Sequence, residues 1–167
     1  YDFEHDELST LERDERELNY IWDIFGWEKV PVDGVLISRA KAEDSKTKYQ
    51  KMREEGFYSY LDLPKEIETI SDCGAYDYRD ETEPRYEPRD MMEFYRDIGT
   101  TTGVTIDHLI TKKDQEDKEF RFNVTLENAK KMYDLWIDND EYYENMRLMA
   151  AVQGWDADSY VEGTREL

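Results

Sequence analysis

The chain has 167 residues, of which 38% are hydrophobic, and a formal net charge of -20 from 42 acidic and 22 basic residues. This length suits one domain with a hydrophobic core and is short for two. The 13 tyrosines and 4 tryptophans exclude a disordered acidic tail. The acidic balance argues against a strongly basic surface for nucleic acid or for an anionic membrane.

The distribution of charge and the cysteine content predict where the protein works. Acidic residues are spread along the whole chain, which favours a cytoplasm of high salt concentration over an acidic face made for one partner. The single cysteine, Cys73, cannot form an internal disulfide or a multi-cysteine zinc site, so we expect an intracellular, cytoplasmic protein without a metal site in this segment. No apolar run approaches the roughly 20 residues of a membrane span, and no signal peptide is visible.

The first half of the chain alternates between helix and strand patterns. Residues 1–30 predict an N-terminal helical segment, with the helix itself over residues 6–23. After turn residues at 31–34, the apolar run Val35–Ile37 predicts a strand buried on both faces. Residues 42–55 predict a helix that ends at Gly56. A second strand is expected to end at Asp72.

The second half continues the alternation. A polar loop over residues 77–88 precedes a helix expected from about Arg89 to Gly99, and Gly103–His108 predicts a third strand. Thr125–Asp138 predicts a helix, with Thr125 as its cap. One face of this helix is expected to contain Ala129, Met132, Tyr133 and Trp136. A shorter helix to Met146, a fourth strand over Leu148–Gly154 and a helix from Asp156 complete the pattern, and the end within a helix suggests a piece of a longer protein, truncated at both ends.

Strands that alternate with helices indicate βαβ units and a parallel sheet. We therefore predict an α/β fold in which residues 31–167 form four βα units, the first half of a (β/α)8 TIM barrel. Active sites of such barrels lie at the carboxyl ends of the strands, where this chain places polar residues. A doubly wound open sheet is the alternative, but no glycine-rich phosphate fingerprint follows the first strand.

The end of the second strand has the composition of a small-molecule pocket. Asp72 supplies a charge, Gly74 and Ala75 let a flat ligand approach the backbone, and Tyr76 offers a stacking face. Cys73 is expected to be a small residue of the pocket wall, because a neighbouring carboxylate disfavours its thiolate. An ordinary strand end with a structural aspartate would show the same pattern.

Four segments together resemble the tRNA-guanine transglycosylase superfamily. Ser71–Tyr76 resembles the family's Asp-Ser-Gly-Gly-aromatic signature, Val152–Trp155 resembles its Val-Gln-Gly-Gly strand, and Asp107 falls where the family has a base-reading aspartate. These segments and Asp33–Arg39 are most similar to the DpdA-type branch, which inserts 7-deazaguanines into DNA. The resemblance extends over the whole chain.

The resemblance implies exchange of guanine in a nucleic acid for a 7-deazaguanine such as preQ0, through a covalent intermediate on an aspartate. It implies that Asp72 acts in acid–base or base-holding work, and that Asp107 accepts from the N–H edge of the base. Gln153 would donate to the ring carbonyl, Gly154 would leave room, and Tyr76 would stack on the base.

The sequence departs from the family signatures at two positions, and two functional parts of the family correspond to sequence outside these residues. Ala75 and Trp155 replace glycines of the family signatures, which changes the shape of the pocket. In the family, the nucleophilic aspartate and a structural zinc cluster lie in the second half of the barrel, which corresponds to sequence beyond Leu167. We therefore expect no cofactor in this segment, and we expect the isolated 167 residues to be inactive and poorly stable.

Several alternatives remain open from the sequence. DNA is the favoured substrate and tRNA the alternative, since the base pocket handles the same ring in both. A non-catalytic acidic interaction module, acting as a partner subunit or in an oligomer, is the alternative of another class. His108 is expected to pack rather than react, and Arg39 to contact phosphate or form a salt bridge. The acidic loop that contains Asp77 is expected to be a solvated surface.

Overall fold

The computed structural model describes residues 20, 22, 25–29, 32–113 and 116–167. The chain divides into two compact units, Tyr1–Asp33 and Gly34–Leu167. In the first unit, the rings of Tyr20 and Trp22 stack with centroids 4.8 Å apart, and a 3-10 helix spans Trp27–Lys29. The helix predicted over residues 6–23 falls almost entirely outside the described residues, and the predicted boundary at residue 30 stays a prediction.

The second unit is built on a sheet of four parallel strands in the order β1-β2-β3-β4. The strands are β1 (Gly34–Ser38), β2 (Glu68–Asp72), β3 (Thr102–Val104) and β4 (Arg147–Met149). Each strand pairs with the next one along the chain, as in half of a (β/α)8 barrel, whereas the strand order of a doubly wound sheet reverses. The predicted α/β fold with four parallel strands is confirmed.

Helices connect the strands. They are α1 (Arg39–Glu43), α2 (Lys46–Glu55), α3 (Phe57–Leu61), α4 (Pro88–Ile98), α5 (Lys118–Asp138), α6 (Asp140–Tyr143) and α7 (Ala157–Glu166). The single helix predicted over residues 42–55 is wrong, because Ser45 starts a new helix by accepting a hydrogen bond from the Lys48 amide. The predicted ends at Gly56 and Gly99 are confirmed. No helix of the described part of the chain is long and apolar enough to cross a membrane.

Helix α5 begins at Lys118, so the prediction that Thr125 caps it is wrong. Thr125 lies buried inside the helix, and its hydroxyl donates to the Arg121 carbonyl at 2.9 Å. Ala129 and Met132 form part of the buried face as predicted, but Tyr133 is 53% exposed and does not.

Strands β3 and β4 are shorter than the predicted runs to His108 and Gly154. The Thr105 amide still donates to the Met149 carbonyl at 2.9 Å. Beyond it, the Ile106 and His108 amides donate to side chains of α5 instead of to a neighbouring strand. The backbone therefore leaves the sheet and continues as a loop at its carboxyl edge.

The two faces of the sheet differ in cover. Thr69 and Ser71 of β2 are fully buried, and a Cβ on Gly103 would lie 2.6 Å from the Tyr95 ring of α4, so this face packs closely against helices. On the opposite face, Leu36 and Met149 are 58% and 52% exposed. The prediction that β1 is buried on both faces is therefore wrong, because the described helices cover only one of them.

Candidate functional site

The candidate site lies at the carboxyl edge of the sheet. Asp72 is the last residue of β2, Asp107 lies in the loop after β3, and Gln153 lies in the loop after β4. Parallel strands bring their carboxyl ends to the same edge, which places these side chains near one another. The Gln153 amide nitrogen donates to Oδ2 of Asp107 at 2.6 Å. Two of the predicted site residues are thus in direct contact.

Cys73 contacts the other oxygen of the same carboxylate. Its thiol donates to Oδ1 of Asp107 across 3.4 Å, and its side chain is almost fully buried. Burial, followed by the nearby negative charge of Asp107, raises the pKa of the thiol to about 12. The thiol is therefore protonated at neutral pH, and it acts as a hydrogen-bond donor rather than as a nucleophile.

The surroundings of Asp107 act on its charge in opposite directions. Burial raises the pKa of its carboxyl, and the charge of nearby Asp72 adds to this effect. The hydrogen bonds from Cys73 and Gln153 stabilise the ionised form and lower the pKa. The Tyr78 hydroxyl donates to the Asp107 main-chain carbonyl at 3.3 Å and holds the loop in place.

Asp72 differs from Asp107 in its hydrogen bonding. Its Oδ1 atom is buried and has no hydrogen-bond partner among the described residues. A buried oxygen without a donor costs about 1–3 kcal/mol. An incoming N–H or O–H group would recover that cost, so Oδ1 of Asp72 is a ready acceptor.

The two glycines predicted to make room for a ligand have close neighbours in the protein itself. Gly74 has a φ of +76°, and a Cβ there would lie 2.8 Å from the Cβ of Ala40 in α1. A Cβ on Gly154 would lie 2.9 Å from the Tyr160 ring in α7. Both glycines therefore permit close packing of the strand ends against helices, α1 of the preceding βα unit for Gly74 and the following helix α7 for Gly154.

Tyr76, the predicted stacking residue, is 67% exposed. The guanidinium of Arg79 lies 4.1 Å from the centroid of its ring and occupies one face. The structure does not bring Tyr76 into a hydrogen bond with Asp107, whereas Tyr78 makes one. Sequence reasoning missed Tyr78, although it lies only two positions after Tyr76.

A second residue that sequence reasoning missed is Arg121 of α5. Its side chain is buried, and Nη1 donates to the carbonyls of Arg79 and Leu109 at 2.9 and 3.0 Å. The same nitrogen lies 3.2 Å from Nδ1 of His108, whose Nε2 lies 3.2 Å from the Thr82 carbonyl. Arg121 thus ties together the loops that follow β2 and β3. The feature of the sequence that could have pointed to Arg121 is its position four residues after Asp117, with which it forms an ion pair.

Other charged and aromatic candidates are engaged in structural contacts. Arg39 forms an ion pair with Glu43 at 2.9 Å and stacks on the Tyr86 ring at 4.4 Å. In the acidic loop, Asp77 pairs with Lys41 at 3.0 Å.

Trp155 packs edge-on against Phe122, with the Lys118 ammonium 4.7 Å from its ring centroid. Within the described ranges, no group of three or more His, Cys, Asp or Glu side chains is arranged to hold a metal ion.

The site has the hydrogen-bond acceptors and the donor that suit a flat, polar ring. Asp107 offers two acceptor oxygens side by side, and Gln153 retains a second N–H for a carbonyl. Asp72 adds an acceptor that has no hydrogen-bond partner within the described ranges. This combination of acceptors and one donor complements a ring edge that has adjacent N–H groups beside a carbonyl.

Comparison with known proteins agrees with this chemistry. No protein-family model matches the chain. The chain is 24% identical over 180 aligned positions to a DNA-guanine transglycosylase of Salmonella montevideo. The match covers the whole of this chain and 42% of the relative's length. This similarity supports membership of the transglycosylase superfamily, a group of transferase-like enzymes.

Proposed function

We propose that this chain forms the base-recognition half of a transglycosylase that exchanges guanine in DNA for a 7-deazaguanine such as preQ0. The observation that supports this most strongly is the contact of Asp107 with Gln153 and Cys73 at the carboxyl edge of the sheet. Near it, Oδ1 of Asp72 is buried with no hydrogen-bond partner in the part of the chain that the structure describes. Similarity along the whole chain to a DNA-guanine transglycosylase supports the same reaction class.

In this proposal, Asp107 reads the N–H edge of the base. Guanine and 7-deazaguanines both present a ring N–H and an exocyclic amine side by side, which match the two oxygens of one carboxylate. Gln153 already donates one N–H to Asp107, and its second N–H is proposed to donate to the ring carbonyl. A site built in this way rejects rings without the matching N–H groups, because its buried polar groups would lose their partners.

Asp72 is proposed to hold the base or to move a proton on it. Its buried Oδ1 can accept from a base N–H without breaking a bond within the described part of the protein. The nucleophile that attacks the sugar is proposed to be an aspartate beyond Leu167, as in the resembling family, and a structural zinc is proposed to lie there as well. Asp72 and Asp107 therefore recognise the base rather than form the covalent bond.

Incorporation of labelled base tests the proposal directly. The complete protein is incubated with duplex DNA or with tRNA, each with radiolabelled preQ0 or guanine, and label in the polymer is counted. We expect label in DNA. Asp72→Asn and Asp107→Asn are each expected to reduce incorporation at least about a hundredfold, since each removes a charged acceptor from a buried site.

Asp77→Asn is the matched control. It removes a carboxylate of the same loop region whose partner is Lys41 and which lies outside the proposed site, so we expect exchange at the wild-type rate. Label in tRNA but not in DNA would change the polymer and keep the reaction. Absence of label in both polymers, from a folded complete protein, would favour the acidic interaction module.

A further inference from the structure

We propose that Cys73 is a positioning residue for base recognition, whose thiol holds the Asp107 carboxylate in the orientation and charge state that bind the base. This inference rests on the proposed function and goes beyond it, because the sequence indicates only a small residue of the pocket wall at this position. The thiol acts through Asp107 and does not contact the reacting atoms.

The geometry supports a fixed contact. Cys73 follows β2 directly, and its carbonyl accepts a hydrogen bond from the Ala40 amide at 3.3 Å, so its backbone is anchored to α1. Its side chain is 1% exposed and lies 3.4 Å from Oδ1 of Asp107. The thiol donates to this carboxylate oxygen and also lies beside the Tyr78 hydroxyl, and the buried surroundings leave water little access.

Two protein donors hold the Asp107 carboxylate, one at each of its oxygens. Gln153 donates to Oδ2 and Cys73 to Oδ1, so each oxygen of the carboxylate has one protein donor and a free lone pair for a ligand. Without the thiol, the carboxylate would be free to rotate about its bond to Cβ and would present its oxygens less well. Its ionised form would also lose one of the donors that offset burial.

Removal of the thiol therefore predicts a specific change with pH. A protonated Asp107 has one acceptor fewer and repels a base N–H, so affinity for the base falls when pH drops below the Asp107 pKa. In Cys73→Ala this pKa rises further, and the acidic limb of the affinity profile (the pH range over which affinity falls) moves to higher pH by about 0.5–1 unit, as expected for loss of one hydrogen bond from a weak S–H donor to the ionised carboxylate. Cys73→Ser keeps a donor and is expected to restore most of the wild-type limb.

The measurement is the affinity of the complete protein for free guanine and for preQ0, by titration calorimetry across the acidic and neutral range. Ser71→Ala is the matched control, since it removes a buried hydroxyl that donates to the Ile37 carbonyl at 2.9 Å on the helix-covered face. A merely structural loss would lower affinity equally at all pH values in both alanine variants.

The outcomes separate this inference from the proposed function. A limb shifted in Cys73→Ala, unshifted in Ser71→Ala and restored in Cys73→Ser supports the positioning role. Wild-type binding with the same limb in Cys73→Ala overturns the positioning role and leaves the proposed function standing. A folded wild-type protein that binds neither base overturns both.

Discussion

At the scale of single residues, hydrogen bonds determine how the two carboxylates of the site differ. Asp107 has a donor at each oxygen, whereas Oδ1 of Asp72 is buried without one among the described residues. The charge of Asp72 raises the Asp107 pKa. A base that brings N–H groups to both carboxylates would relieve this repulsion, so binding is expected to favour the ionised form of Asp107 and to release protons at acidic pH.

His108 gives a pH-dependent prediction. Burial, followed by the positive charge of Arg121, lowers its pKa in the folded chain. In the unfolded chain a histidine has a pKa of about 6.5. Since the folded state disfavours the proton, the stabilising contribution is complete above about pH 6.5 and is lost as pH falls from there through the folded pKa. We expect the free energy of unfolding of the complete protein to decrease over this range.

His108→Gln is the variant that isolates the effect, because a carboxamide can donate to the Thr82 carbonyl and accept from Arg121 without taking up a proton. We expect a shallower loss of stability below about pH 6.5 than in the wild type. Proton NMR of the imidazole, assigned by its disappearance in His108→Gln, gives the pKa itself. A titration midpoint at or above the ordinary histidine value would contradict the prediction.

Sequence reasoning reached the residue types of the site but not their contacts. Asp72, Asp107 and Gln153 could be singled out because each lies at or beyond the carboxyl end of a strand, and parallel strands share an edge. The donor role of Cys73 could not be predicted, because it depends on how far the loop after β3 bends toward β2. The close neighbours of Gly74 and Gly154 also belong to helices that the local sequence does not specify.

At the scale of elements, Arg121 joins helix α5 to two loops at the carboxyl edge of the sheet. Its guanidinium is a planar fork that donates from Nη1 to main-chain carbonyls after β2 and after β3 and from Nε to Asp117. These loops contain Tyr78 and Asp107, which are hydrogen-bonded to each other. The position of the candidate site therefore depends on a residue of a helix that contributes no side chain to it.

Arg121→Lys tests this dependence. An ammonium keeps the charge but cannot serve the partners of Nη1 and Nε at once, so the part-buried carbonyls of Arg79 and Leu109 would lose their donor. We expect the free energy of unfolding to fall by about 2 kcal/mol, within the range for a buried polar group left without a partner. Urea denaturation followed by tryptophan fluorescence gives this value.

Arg85→Lys provides the comparison for Arg121→Lys. Arg85 is an exposed arginine that pairs with Glu81 one helical turn away in sequence, so the same substitution there is expected to change stability by less than about 0.5 kcal/mol. Equal effects of the two substitutions would show that the buried fork is not important.

The elements themselves were predictable where local chemistry determines them. Gly56 and Gly99 end their helices in backbone conformations that favour glycine, which a sequence pattern can detect. The start of α5 was not predictable in this way. Thr125 has the composition of a cap, but its amide and hydroxyl are used inside a longer helix whose first turns depend on burying Arg121. Tertiary packing thus overrode the local preference.

At the scale of the whole molecule, one face of the sheet has apolar side chains that no described helix covers. Leu36 and Met149 lie more than half exposed on it, although parallel sheets usually have both faces covered. The register places Asp72 on this same face, at the level of Ser38. The expectation that the isolated 167 residues are poorly stable stays a prediction, and it agrees with the exposure of this face.

The net charge of -20 gives the last prediction. The 42 acidic residues exceed the 22 basic ones by 20, so surface ion pairs such as Lys130–Glu166 cannot neutralise all of them. Salt screens their repulsion, and the screening length falls from about 30 Å to about 8 Å between 0.01 M and 0.15 M salt.

We expect amide hydrogen exchange of peptides from residues 34–167 of the complete protein to slow over this range of salt concentration, since repulsion destabilises the compact state. The same peptides from denatured protein control for the effect of salt on intrinsic exchange. A further slowing well above physiological salt would support adaptation to a high-salt cytoplasm, and a plateau would contradict that adaptation. Faster exchange in salt would contradict the screening argument itself.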